Sequence, residues 1–336
     1  MKKILLIQLR KLGDVVLTTP VIDVLYKKFG SDAQIDFLTE KEYSLILSGN
    51  PYLTKIYSLD KNDWKSQLKI IRQLRTEKYD FVFDFFGNPR SAWISFFSGG
   101  KYRYGYDFKG RKFLYNRIVQ RDKNSKYAVD FKLDLLKDFG IQDGDKKTSL
   151  YADDELVKEY KICLREAGWK NSQKILAIVA PNVRQASVVK NWIFDRYIEL
   201  ANRSQKELGA FVVILWGPGE EENAEAIKQK IDQQKCFMPP KLKLDELAAL
   251  IKNCSVLFSG CSGSKHIAVG LGIPTVTVFG PTQEICWNPP NSDTNIALKA
   301  KQLDCIECDK TECKDQECMK MIMTEMAFEA VVRFLR

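Results

Sequence analysis

Residues 254–282, CSVLFSGCSGSKHIAVGLGIPTVTVFGPT, constrain the fold more than any other stretch of this chain. An apolar run (255–258) meets a glycine turn, a short helical pattern follows from about Ser264, and a second apolar run covers 275–279. Strand, tight turn, helix and strand is the unit of a parallel sheet, since parallel neighbours need a crossover connection. Gly260 and Gly263 let the backbone turn sharply and approach a bound group closely. The unpaired amides opening the next helix then face the carboxyl end of the strand, a position that favours an anion. The pattern predicts a phosphate-bearing ligand near Ser262, Gly263, Ser264 and Lys265. The plainer reading is an ordinary strand–turn–helix with nothing bound.

The alternation extends along the chain. Residues 3–9 read as a strand buried on both faces, 10–14 as its turn, and 15–29 as a helix whose Pro20 must lie in its first turn or kink it. Strands are expected at 34–38, 55–59 and 80–85, with helices at 64–78, 91–97 and 129–139. A polar stretch and a helix at 153–167 follow, and the pattern restarts with KILAIVA at Lys174. Further strands fall at 210–216, 255–258 and 275–279, with helices at 193–208, 220–233 and 245–253 and a last one at 324–335. The prediction is two doubly wound α/β domains with a boundary near residue 170.

Composition and charge narrow the function. Hydrophobic content of 45% and charged content of 28% are those of a soluble globular protein. The opening MKKILLIQLRKLGD has only a four-residue apolar run before Gln8, too short for a signal peptide, so a cytoplasmic location is expected. The net charge is +9, and residues 101–126 hold nine Lys or Arg against Asp107 and Asp122, interleaved with aromatic residues. Such a segment suits a phosphorylated glycan, an anionic membrane surface or, with no motif in support, nucleic acid; the alternative is a solvated basic loop. Of nine cysteines, Cys305, Cys308, Cys313 and Cys318 are clustered. That spacing could bind zinc, although reduced thiols or a labile disulfide pair fit the charged loop better.

Several segments together resemble glycosyltransferase family 9, the heptosyltransferases of lipopolysaccharide core assembly. ILLIQLRKLGDVVLTTPVIDVL is similar to the family's opening strand and G-D-x-x-x-T-x-P turn, and Lys190-Asn191-Trp192 to its K-x-W element. WGPGEEENAEAI resembles the nucleotide-side loop, and residues 242–282 the long signature. The resemblance implies a GT-B fold of two Rossmann-like domains facing across a cleft. The acceptor domain is expected at 1–170 and the nucleotide-sugar domain at 171–322, with a helix at 323–336 returning to the first. It also implies inverting transfer from a nucleotide sugar, ADP-heptose by analogy, to an anionic lipopolysaccharide-core acceptor, at the cytoplasmic face of the inner membrane. Direct displacement needs a base and leaving-group stabilisation, but no covalent intermediate, cofactor or metal.

Asp14 is the expected base, following the first strand in a glycine turn; its plainer role is an N-cap for the next helix. Lys190 is the expected clamp on the departing diphosphate, with Ser187, Cys261, Ser262, Gly263, Ser264, Lys265, His266 and Thr282 on the donor phosphates. His266, the only histidine, reads better as support for the loop than as an acid or base. Glu220 and Glu221 are placed at the ribose, and Gly13, Arg103, Lys109, Arg111 and Lys112 at the acceptor. One departure stands out: Cys261 occupies the position where the family's D-[ST]-G-x-x-H pattern has a carboxylate. A thiol is a weak hydrogen-bond partner. Another donor sugar, or a nucleotide-sugar-binding paralogue without turnover, therefore remain alternatives. A dinucleotide oxidoreductase is poorly supported, because QLRKLGD lacks G-x-G-x-x-G.

Overall fold

The computed structural model describes residues 1–336 except 109, 121, 123, 125, 142–144, 183–187 and 301. The chain divides into two units, Met1–Tyr151 and Ala152–Arg336. The first contains β1 (Lys2–Ile7), α1 (Leu12–Val16), α2 (Thr19–Phe29), β2 (Ala33–Glu40), β3 (Lys55–Leu59), α3 (Trp64–Glu77), β4 (Phe81–Asp84), α4 (Pro89–Phe97), β5 (Tyr102–Tyr106), β6 (Arg117–Val119) and α5 (Ala128–Asp134). Its strands are all parallel in the order β3-β2-β1-β4-β5-β6. Ile4, Leu5, Leu6 and Ile7 of β1 are all fully buried, as a central strand covered on both faces requires.

The second unit opens with α6 (Asp154–Glu166), β7 (Ile175–Val179), α7 (Phe194–Glu207), β8 (Phe211–Leu215), α8 (Glu221–Lys228), β9 (Cys236–Phe237) and α9 (Leu244–Lys252). It continues through β10 (Val256–Gly260), α10 (Gly263–Gly270), β11 (Thr275–Phe279), α11 (Glu284–Trp287), β12 (Asn295–Lys299), α12 (Glu317–Lys320) and α13 (Thr324–Leu335). The order β9-β8-β7-β10-β11-β12 retraces the path of the first sheet. Both units are thus doubly wound, as the alternation predicts.

Four differences from the expected pattern have physical causes. β5, β6, β9 and β12 lie at or next to sheet edges, where strands are short and alternating rather than continuously apolar. The helix expected at 15–29 is two helices, and Pro20 occupies the first turn of the second. The expected basic loop at 101–126 contains two strands, and Tyr104, Tyr106 and Tyr115 are core residues. The domain boundary falls at Tyr151/Ala152 rather than near 170, because α6 packs on α9 and Asn253 Nδ2 donates to Val157 O at 3.0 Å.

The last helix belongs to the second unit rather than forming a separate returning segment. Its apolar stripe, Ala327, Phe328, Ala330, Val331 and Leu335, joins the core formed by Val256 and Phe258 of β10 and Val276 and Val278 of β11. Trp192 lies at the centre of that core, against Tyr197 and Phe258, and its indole Nε1 donates to Ile322 O at 2.7 Å. Trp192→Ala is expected to lower stability by about 3–5 kcal/mol, read from denaturant unfolding. A loss below about 1 kcal/mol would show that this contact does not organise the unit.

Candidate active site

In each sheet the strand order reverses between its first and fourth strands, β1/β4 and β7/β10. Connections leaving those strand ends diverge to opposite faces and leave a crevice, the usual ligand position in an open parallel sheet. In the second unit this point is flanked by the loop after β7, which carries Lys190, and the turn after β10, which carries Cys261 and Ser262.

The two loops are built to meet. A Cβ on Gly260 would stand 3.3 Å from Lys190 O, so the glycine permits the close approach. Ser262 caps α10, its Oγ accepting from Lys265 N at 3.4 Å. Burial raises the pKa of the Cys261 thiol, while the positive charges of Lys265 and Lys190 pull it down. The Lys190 loop is fastened at both ends. Asn191 Oδ1 accepts from Asn182 N at 3.0 Å, and Asn191 Nδ2 donates to Asn182 O at 2.5 Å. Asn182 Nδ2 in turn donates to Glu220 Oε1 at 2.6 Å. Lys190 therefore stands next to a residue held by two hydrogen bonds, and it is not wholly buried.

Other expected donor residues take different places. Lys265 is fully buried: its Nζ donates to Trp287 O and lies over the Phe279 ring, and burial lowers its pKa to about 8. Its side chain braces the fold and does not present an ammonium to the turn. His266 is also buried, edge-on to Trp287, and burial with the neighbouring Lys265 charge pushes its pKa well below 6.5, so the ring is neutral. Glu220 accepts from Gly217 N at 2.7 Å as well as from Asn182, so it is a loop fastener, whereas Glu221 is exposed at the start of α8. Thr282 Oγ1 is buried with no hydrogen-bond partner among the described residues, an arrangement that costs free energy until an acceptor or donor is supplied. Ser187 lies outside the described residues.

In the first unit Asp14 sits in the first turn of α1, two residues past its start, and is not the N-cap, which is Lys11. Its carboxylate is partly exposed, with Lys132 Nζ 3.9 Å from Oδ1. Lys132 was not singled out from the sequence. It projects from α5 into the interior, donates to Gln8 Oε1 at 2.9 Å, and has its pKa lowered by burial and partly restored by Asp14. The available signal was a lysine between Val129 and Leu133 on the apolar face of a helix, where a cation needs a partner.

Arg103 and Arg111 are less available to an acceptor than expected. Arg103 donates to Leu114 O and Gly100 O at 3.1 and 2.9 Å, and Arg111 to Gly87 O at 2.9 Å. These arginines tie the connection between β5 and β6 to its neighbours. Lys112 is exposed, Gly13 lies within α1, and Lys109 lies outside the described residues. All nine cysteines are free thiols, with Cys305, Cys308 and Cys313 exposed. Among the described residues no group of three or more His, Cys, Asp or Glu side chains is arranged to hold a metal ion.

Two parallel six-stranded sheets of identical strand order, the second with a glycine turn and capped helix at its switch point, define a GT-B type α/β protein. Residues 67–319 match the profile of glycosyltransferase family 9 (heptosyltransferase). The chain belongs to that family, and it is a glycosyltransferase. It is 26% identical over 303 residues to lipopolysaccharide heptosyltransferase 3 of Escherichia coli, covering 82% of this chain and 83% of the relative. Its fold is shared by a family 9 glycosyltransferase from Veillonella parvula (TM-score 0.86, 20% identity, 99% and 97% coverage). E. coli ADP-heptose lipopolysaccharide heptosyltransferase II is also similar in fold (TM-score 0.82, 21% identity, 100% and 98% coverage).

The neutral His266 leads to a pH prediction. Unfolded chains take up a proton at an imidazole near pH 6.5, and the folded ring does not until well below it. The unfolded state then binds more protons under pH 6.5, so stability falls as pH drops from there toward about 5. No other histidine contributes. Denaturant midpoints should decline over that window for the native chain and stay flatter for His266→Gln; equal slopes would mean the ring titrates freely.

Proposed function

We propose that this glycosyltransferase moves heptose from ADP-heptose to the lipopolysaccharide inner core, either lipid A–Kdo or a heptosylated acceptor, by direct displacement with inversion. The observation that carries the reading is the Lys190 backbone packed against Gly260, at the start of the turn after β10, at the switch point of the second sheet. A cation beside unpaired helix amides is what a departing diphosphate needs. Similarity to lipopolysaccharide heptosyltransferases supports the acceptor class, and the name of the E. coli structural relative supports the donor.

In this mechanism the acceptor hydroxyl oxygen attacks the anomeric carbon of the donor. Asp14 takes the hydroxyl proton, and the bond from the anomeric carbon to the β-phosphate oxygen breaks, its electron pair leaving with ADP. Lys132, with its Nζ 3.9 Å from Oδ1, orients the Asp14 carboxylate for that transfer. Lys190, the turn amides near Ser262, Gly263 and Ser264, and the Thr282 hydroxyl receive the charge that grows on the diphosphate. Glu221 is left for the ribose, and Lys112 for an anionic group on the acceptor. The reaction takes place at the cytoplasmic face of the inner membrane, with the protein bound peripherally; among the described residues no helix is long and apolar enough to cross a bilayer.

Cys261 favours a second reading of the donor alone. Where the family's pattern has a carboxylate to contact sugar hydroxyls, a half-buried thiol offers little, so a different nucleotide sugar would suit the same machinery.

Transfer assays with purified acceptor test both. Asp14→Asn should cut turnover by about 10²–10⁴-fold with nucleotide affinity retained. Lys190→Ala should cost about 10²-fold or more in kcat. Turnover surviving Asp14→Asn would remove the base assignment, and turnover only with another nucleotide sugar would move the donor.

A further inference from the structure

The transfer chemistry makes no use of the outer surface of α3 and α4. These helices lie on the same face of the first sheet, since Ile70 and Leu74 of α3 and Ile94 of α4 enter one core with Leu5 and Ile7. They touch directly, and Arg75 Nη1 of α3 donates to Phe97 O of α4 at 3.4 Å. Their outward side is strongly apolar. Trp93, 44% exposed, stacks on Phe97 at 5.4 Å and meets Phe96 and Phe113 edge-on at 5.9 and 6.2 Å. Phe113, in the connection between β5 and β6, is 66% exposed. On α3, Trp64 and Leu68 are exposed one turn apart. Single exposed apolar residues are ordinary, but three exposed phenylalanine rings gathered around an exposed Trp93 mark a docking surface.

The charge around the rings says what docks there. Residues 64–75 carry Lys65, Lys69, Arg72 and Arg75 with no acidic residue. Residues 89–106 also lack acids, and Lys112 is exposed next to Phe113. Trp64, Lys65, Leu68, Lys69, Arg72 and Gln73 line a shallow groove along α3. Aromatic rings interspersed with cations match the boundary between lipid headgroups and acyl chains, where rings sit at headgroup depth and lysines meet phosphates. A second copy of the chain would bring this predominantly cationic face against its own charge.

We propose that the α3–α4 face docks on an anionic lipid bilayer, with Trp93, Phe96, Phe97 and Phe113 entering the headgroup boundary and Lys65, Lys69 and Arg72 contacting phosphates. This rests on the reading that the enzyme works at a membrane surface and names the surface that makes contact. It is independent of the donor sugar.

The test is sedimentation of the full chain with vesicles of phosphatidylglycerol and phosphatidylethanolamine, or of phosphatidylcholine alone, at low and high salt. The native chain should bind the anionic vesicles preferentially, and acyl-brominated lipid should quench its tryptophan fluorescence. The double change Trp64→Phe, Trp93→Phe should remove most of that quenching although four of the six tryptophans remain. The triple change Trp93→Ser, Phe97→Ser, Phe113→Ser should weaken vesicle binding roughly tenfold or more. Lys65→Gln, Lys69→Gln, Arg72→Gln should weaken it comparably and flatten its salt dependence. Both triple variants should keep transfer to a soluble, delipidated acceptor, which shows that they fold. Native binding that neither triple variant alters would leave the membrane reading standing and overturn this face. No vesicle binding by the native chain would overturn both. Self-association of the native chain, lost in the aromatic variant, would assign the face to a second copy and likewise overturn the proposal.

Discussion

The reversal of strand order in each parallel sheet is the constraint on which the rest of the structure depends. Between β7 and β10, neighbouring strands send their connections to opposite faces, which opens a crevice at their ends. Whatever binds there meets the carboxyl end of two strands and the amino end of α10. The fully buried apolar residues of β7 and β10 make these strands immovable, so the turn after β10 has a rigid base. The chemistry is confined to loops that such strands can hold still.

Holding the loop of Lys190 still takes a chain of specific contacts. Asn191 and Asn182 close it on itself, Glu220 ties it to the turn after β8, and Trp192 anchors its end through Ile322 O. These contacts recast the K-x-W element: the tryptophan and the intervening asparagine fix the position of the lysine, to which the proposed mechanism gives the diphosphate. Buried Lys265 and neutral His266 support the other wall in the same way, through Trp287. Polar residues near the site thus divide into a few that face a ligand and more that hold them there.

Much of this was legible in the sequence because continuously apolar strands, glycine turns and helical periodicity reflect local physics. Central strands such as β1, β7 and β11 were found for that reason, and β3 and β11 at their observed limits. β6 and β9 were not, since a three-residue or two-residue edge strand carries too little pattern. Site residues divide similarly. Among the proposed site residues, Asp14 and Ser262 follow from their place after strands, and Lys190 from the resemblance to the K-x-W element. The inward turn of Lys265, the fastening role of Glu220 and the approach of Lys132 to Asp14 depend on contacts between residues far apart in sequence. The aromatic surface was hidden for the same reason, as Trp93 and Phe113 are twenty positions apart and meet only in the fold.

The central claim is that the switch point of the second sheet holds a nucleoside-diphosphate sugar. A thermal-shift panel of ADP, UDP, GDP, CDP and ADP-heptose tests it most directly, because a ligand bound only by the native state raises its apparent stability. Stabilisation by ADP, larger for ADP-heptose and reduced by Lys190→Ala, is the predicted result. A panel in which no nucleotide or nucleotide sugar shifts the native chain would contradict the account.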